Sequence, residues 1–169
     1  MAEHLKLARP YFVLLAIFGV ARFLQGPFGV PYGKGHHVFS IVTLTVFSCI
    51  YYGVFARRWR GYRLMQAILL AFTLGVISQL VILALTLLSY ALSLETYFNH
   101  PVAINLRPLA ESDLQPGPWQ PVQLGQALGN RLGGLIGNSI FAGILGAIGW
   151  TVGGVLPERP APPIVQTAP

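Results

Sequence analysis

The sequence predicts an all-α integral membrane protein, a bundle of four transmembrane helices with one longer extracytoplasmic loop. Of its 169 residues, 54% are apolar and 9% are charged, whereas soluble domains carry about 25% charged residues. So few charges could not cover a water-soluble globule of this length, which argues against the alternative of a soluble all-α protein. Four apolar segments and one arginine-rich run complete the prediction.

The four apolar segments meet or approach the length of about 20 residues that a spanning helix needs. If helical, each satisfies its own backbone polar groups, as a bilayer requires. The predicted helices cover about residues 10–30, 37–56, 64–94 and 130–156, within a membrane domain of residues 1–156. The first of them ends near Leu24 unless the helix continues through Gly26-Pro27. Residues 95–129 form the predicted outer segment. The tail 157–169 contains five prolines and is predicted to be disordered.

An arginine-rich run between the second and third segments predicts the orientation. Short loops rich in Lys and Arg stay on the cytoplasmic side of a membrane. The topology-determining residues of this run are Arg57, Arg58, Arg60 and Arg63. Both termini are therefore predicted to be cytoplasmic, and the compact loops favour a bacterial plasma (inner) membrane. The net charge of +6 follows from this bias, so the expected partner is the lipid bilayer and no nucleic acid.

The first segment also fits a second interpretation, that of a cleaved signal peptide. Basic residues precede a short apolar stretch, and Gly19-Val20-Ala21 is a small-x-small cleavage pattern. Cleavage after Ala21 would leave three helices without changing their orientation.

The fourth segment is rich in glycine at four-residue intervals. In membranes, small residues at this spacing let helix backbones approach closely. The predicted helix-packing residues are Gly133, Gly137, Gly143, Gly146, Gly149 and Gly153. Their contact is either another helix of this chain or another membrane protein subunit, which includes a second copy.

One ionisable side chain, Arg22, is singled out inside a predicted span, where such residues are functional hypotheses. Counting about 1.5 Å per residue from the cytoplasmic helix ends places several uncharged polar side chains at a similar depth. This predicted intramembrane cluster comprises Arg22, Ser40, Thr43, Gln79 and Asn138. Two interpretations remain open. Arg22 extends to the outer surface beside ordinary interhelical hydrogen bonds, or the cluster lines an outward-facing cavity for a polar or anionic ligand.

Motifs for catalysis, cofactors and metals do not emerge from the sequence. The run Gly33-Lys34-Gly35 lacks the hydroxyl residue that follows lysine in a phosphate-binding loop. His36, His37 and His100 have no carboxylate at ligand spacing, and the single cysteine, Cys49, has no CxxC partner. We therefore expect no enzyme activity, no cofactor and no metal.

The expected function is that of an accessory, assembly or interaction subunit of a membrane complex. The sparse polar content and the glycine-rich fourth helix favour this class. The alternative is an oligomeric transporter or channel for a small polar or anionic solute, which would use the outer-leaflet polar layer around Arg22.

Overall fold

The computed structural model describes residues 6–157 and shows an all-helical, 70% helical protein, which confirms that part of the prediction. The helices are α1 (Arg9–Gln25), α2 (Tyr32–Gly35), α3 (Ile41–Arg60), α4 (Leu64–Ala91) and α5 (Leu124–Val155), with a 3₁₀ turn at Glu111–Leu114. Two helices, α4 and α5, are long and apolar enough to cross a membrane. Within residues 6–157 there is no strand. The predicted disordered tail lies outside the described residues from position 158 onward.

The helix ends differ from the predicted ones where turn and cap residues intervene. The first helix ends at Gln25 and not near residue 30. The second begins at Ile41 and not at residue 37, because the Ser40 hydroxyl accepts a hydrogen bond from the Thr43 amide and caps it. It then continues to Arg60, so most of the arginine run is helical. Gly61, with a left-handed φ of 61°, ends it.

The outer segment is shorter than the sequence predicted. Helix α5 begins at Leu124, ahead of the predicted start at residue 130, and α4 ends at Ala91. Ser93 has a left-handed φ of 52°, which takes the chain out of the helix. The segment between these two helices therefore covers residues 92–123.

Helix α5 packs along both α3 and α4, and glycine makes the close contacts possible. A Cβ atom on Gly149 would lie 2.2 Å from the Ile50 carbonyl oxygen, and one on Gly146 would lie 2.4 Å from the Ala71 Cβ. Neither distance is sterically possible. Helix α5 therefore approaches α3 and α4 this closely because Gly146 and Gly149 lack a side chain.

Helix α1 packs less extensively on α3 and α4 and is joined to them by a buried polar contact. The Tyr11 hydroxyl lies 3.0 Å from the Thr45 hydroxyl and donates to the Leu74 carbonyl at 3.3 Å. A buried hydroxyl needs such partners because water is absent. The contact fixes one face of α1 toward the other helices.

The outward surface of the helices is strongly apolar. Phe47 is 67% exposed, and Met65 and Ile136 are each 63% exposed. Soluble monomers rarely expose contiguous apolar patches larger than a few hundred Å². This surface is compatible with membrane association, as are the two apolar helices.

Two connecting segments, residues 26–40 and 92–123, pack on each other at one end of the bundle and are called the cap. The Tyr97 hydroxyl lies 3.0 Å from the Val30 carbonyl oxygen and 2.9 Å from that of Pro31. A Cβ atom on Gly26 would lie 2.3 Å from the Glu95 carbonyl oxygen. The missing side chain at Gly26 therefore allows the two segments to touch.

Candidate functional site

Arg22 projects from the last turn of α1 toward the cap. Its Nη1 donates a hydrogen bond of 2.8 Å to the carbonyl oxygen of His36. Its guanidinium carbon lies 5.5 Å from the centre of the Tyr97 ring, within the range of a cation–π contact. Arg22 is half-buried, so it is engaged by the protein and does not extend freely into solvent.

A second arginine, Arg131, reaches the same region from α5. Its Nε donates to the Thr86 hydroxyl at 3.2 Å, and its two Nη atoms donate to the carbonyl oxygens of Ala103 (3.3 Å) and Phe98 (2.8 Å). Arg131 is not among the residues predicted from the sequence, although it lies one residue inside the predicted fourth helix. Its charge within that helix was the available signal.

Arg22 and Arg131 line one small cavity at the junction of the helices and the cap. The cavity has a volume of about 70 Å³, and Ser40 and Tyr97 also contribute to its wall. None of its lining residues is a carboxylate. Within the described part of the chain, neither arginine forms an ion pair. The cavity is therefore positively charged and lacks a protein counter-charge.

The other polar residues of the predicted cluster lie apart from the two arginines. Gln79 is buried, and it lines a void of about 20 Å³ together with the more exposed Asn138. Thr43 lies in an apolar groove between α1 and α3, next to Phe18 and Phe47. The structure thus brings Arg22 and Ser40 to one cavity and Gln79 and Asn138 to another. Thr43 lines a separate groove, although its amide donates a hydrogen bond to Ser40.

The predicted packing glycines divide into two groups along α5. Besides Gly146 and Gly149, a Cβ on Gly153 would lie 3.0 Å from Val54 backbone atoms, and one on Gly143 would make ordinary contacts. Gly133 and Gly137 have nothing within 4 Å of a built Cβ atom. The glycines far from the cap therefore pack inside the chain, whereas those nearer the cap face open space.

The arginines predicted to determine the topology lie at the opposite end of the bundle from the cap. Arg57 and Arg58 contact α5 and its end, since Arg57 lies over the Trp150 ring and Arg58 donates to the Pro157 carbonyl. Arg60 is exposed, and the amide of Arg63 donates to the Gln66 side chain at the start of α4. The run both carries charge and holds helix ends together.

The cap contains a larger cleft of about 530 Å³, which His100 and Asp113 help to line. His100 is 1% exposed, and its ring stacks on Tyr32 with 4.1 Å between ring centres. Its Nδ1 accepts a hydrogen bond from the Val102 amide, which leaves the proton on Nε2, 3.5 Å from Asp113. Burial lowers the pKa of His100 to about 4, so the imidazole is neutral near pH 7.

Asp113 is held by a two-pronged contact with Arg107. The two carboxylate oxygens accept hydrogen bonds of 2.7 and 2.6 Å from the guanidinium, and the Ala110 amide donates a third. The Arg107 guanidinium, more than any other group, lowers the pKa of Asp113 to about 2. Arg107 and Asp113, the two ionisable groups beside His100, therefore form a structural ion pair with each other.

The histidines of the cap do not assemble a metal site. His36 and His100 lie on either side of Tyr32, with ring-centre distances of 5.5 and 4.1 Å. Across residues 6–157 there is no group of three or more His, Cys, Asp or Glu side chains that could hold a metal ion.

The features described define an all-helical protein with two apolar helices compatible with membrane association. No protein-family model, no curated protein and no solved structure matches the chain.

Proposed function

We propose that this chain is a four-span membrane protein of a bacterial plasma membrane, with both termini cytoplasmic, that acts as an accessory or interaction subunit. The strongly apolar outer surface of the helices and the arginine run at one end support the membrane placement. The four proposed membrane-spanning helices are α1, α3, α4 and α5. The cap lies outside the membrane in this arrangement.

The single observation that carries the interaction role is the open glycine face of α5. Gly133 and Gly137 lie four residues apart, and a Cβ on either would meet nothing within 4 Å; Gly125 and Gly129 continue the same open face ahead of Arg131. Apolar side chains flank this face, and Ile136 is 63% exposed. In a membrane such a face lets a second helix approach closely and gain dispersion contacts. We propose a helix of another membrane subunit as the occupant.

Co-purification in mild detergent tests the interaction role. A stoichiometric unrelated partner is expected with the wild type, and Gly133→Leu or Gly137→Leu should remove it, because the side chain fills the open face. Ala84→Leu, on an exposed face of α4, is the matched control and should retain the partner. A homo-oligomer alone would contradict the accessory role.

Cysteine labelling in intact cells tests the topology. The exposed cap position Gly117→Cys should react with a membrane-impermeant maleimide, whereas Arg60→Cys should react only after permeabilisation. Labelling of both positions in intact cells would refute the proposed orientation.

A second candidate function is transport of a small anionic solute by an oligomer. The observation in its favour is that Arg131 joins Arg22 at one cavity, which strengthens the charge of the predicted layer. Flux of a labelled anion into vesicles containing the purified protein tests it, and absence of flux at any protein density would exclude it.

A further inference from the structure

The cavity between Arg22 and Arg131 combines two fixed positive charges with unused hydrogen-bond donors. A guanidinium carries five N–H groups. In the described residues Arg22 donates one hydrogen bond to a carbonyl and also contacts the Tyr32 side chain, and Arg131 donates three to protein oxygens. Each arginine is anchored in place and still has donors to offer. An anchored guanidinium loses little conformational freedom when it binds an oxyanion, and Arg–phosphate contacts are among the strongest charge-assisted hydrogen bonds.

The two arginines are half-buried and also lack a carboxylate partner. Charges shielded from water are usually paired, because desolvation is costly. Within residues 6–157 the Arg107–Asp113 ion pair and the contact of the neutral His100 with Asp113 use the same carboxylate and include neither Arg22 nor Arg131. The cavity wall adds the Ser40 side chain and no acid. The missing component is therefore a negative charge.

The size of the cavity limits the group that supplies this charge. Its volume of about 70 Å³ is several times the roughly 10–15 Å³ that admits one water molecule. A tetrahedral oxyanion group fits this range, whereas a nucleotide or a peptide does not. The cavity does not include the larger cleft of the cap, whose Arg107 is already paired with Asp113.

The position of the cavity brings it to the level of lipid head groups. Arg131 lies 25 residues before Leu156, which corresponds to roughly 37 Å of helix and exceeds the ~30 Å hydrocarbon core. If the end of α5 lies at one membrane face, Arg131 reaches the opposite head-group region. Val42, which also lines the cavity, is 49% exposed on the side of the bundle.

We propose that Arg22 and Arg131 together form a binding site for a phosphate-class oxyanion, either the head-group phosphate of an outer-leaflet phospholipid or free inorganic phosphate. This inference rests on the cavity of the second candidate function and names its ligand class. It does not require transport, so binding without flux would refute only the transporter.

Binding is tested with the purified full-length protein in detergent depleted of phospholipid. Increasing inorganic phosphate, with chloride keeping the ionic strength constant, should raise the thermal unfolding temperature of the wild type. Arg22→Gln or Arg131→Gln should weaken phosphate binding about tenfold or more, a factor that corresponds to ~1.4 kcal/mol. Lys34→Gln is the matched control, because it removes an exposed positive charge from the cap outside the cavity. It should change the affinity less than twofold.

The source of the phosphate is determined by native mass spectrometry of protein extracted from membranes. A phospholipid retained by the wild type and lost from Arg22→Gln and Arg131→Gln assigns the site to a lipid head group. Phosphate-dependent stabilisation without a retained phospholipid assigns it to the free anion. If the arginine variants do not fold, the proposal is tested by phosphate stabilisation and phospholipid retention in the wild type. The proposal is overturned if phosphate does not stabilise the wild type and the wild type retains no phospholipid. It is also overturned if Lys34→Gln loses as much affinity for phosphate as the arginine variants, or if folded arginine variants keep the wild-type affinity.

Discussion

The guanidinium carbon of Arg57 lies 3.8 Å from the centre of the Trp150 indole ring, so the last turn of α3 is joined to the last turns of α5. The same side chain donates a hydrogen bond of 3.4 Å to the Trp150 carbonyl oxygen. The Trp150 ring nitrogen in turn donates to the Tyr62 carbonyl oxygen at 2.7 Å. A residue that the sequence marks as an orientation signal is therefore also a packing residue.

Replacing Arg57 by Met should destabilise the protein by about 0.5–2 kcal/mol, because the cation–π contact with Trp150 is lost. Thermal or denaturant unfolding in detergent measures this change. Arg60→Met removes an exposed charge from the same turn and should cost less than about 0.5 kcal/mol. A double-mutant cycle with Trp150→Leu isolates the pairwise energy. A coupling energy of zero would contradict the contact.

Gly149→Ala should destabilise the bundle, because its Cβ would lie 2.2 Å from the Ile50 carbonyl oxygen. Backbone atoms cannot move aside as a flexible side chain can, so we expect a cost of about 1–3 kcal/mol or failure to fold. Unfolding temperature and folded yield are the measurements. Gly137→Ala meets open space and should raise the stability of the isolated chain by up to about 1 kcal/mol, because alanine favours the helix. Equal effects of the two substitutions would refute the proposed packing of α5.

Acidification between about pH 6.5 and 4 should lower the free energy of unfolding through His100. Its pKa is about 4 in the folded chain and near 6.5 in an unfolded one. In this window the unfolded state therefore binds a proton that the folded state does not, and stability falls as the pH falls. His100→Asn keeps an acceptor for the Val102 amide but does not titrate, so its unfolding temperature should depend less on pH. His37→Asn, at an exposed position, should keep the wild-type slope, and the same slope in all three proteins would disprove the role of His100.

Asp113→Asn should loosen the cap, because Arg107 loses its charged partner and the pair of short hydrogen bonds. The Arg107 side chain is 37% exposed, so solvent screening reduces the loss to about 1 kcal/mol. The depressed pKa of Asp113, about 2, implies that the wild type loses this contribution as the pH falls from about 4 to about 2. Protease sensitivity of residues 92–123 and the unfolding temperature report it. Glu111→Gln, at an exposed position of the same turn, is the control and should behave as the wild type.

The sequence was sufficient to predict the helical class and the approximate place of the four long helices. The apolar segments are long enough to be recognised without tertiary information, and the exposed apolar surface agrees with them. The ends were less predictable, because they depend on local devices such as the Ser40 cap and the left-handed Gly61. Helix α5 begins at Leu124, six residues before the predicted start of the span at residue 130, because Ala127 packs with Ile104 and Val122 of the cap.

Counting residues along the predicted helices gave the relative depth of each polar side chain but not the direction in which it points from its helix. It placed Arg22, Ser40, Thr43, Gln79 and Asn138 at similar levels, yet depth alone does not say which side of a helix faces which neighbour. Only the packing of α1, α3 and α5 decided that Arg22 shares a cavity with Arg131, and that Thr43 faces an apolar groove instead. It likewise decided that Gly149 is enclosed and Gly137 open. The rotation of each helix about its axis is set by contacts between distant residues, and those contacts exist only in the tertiary structure.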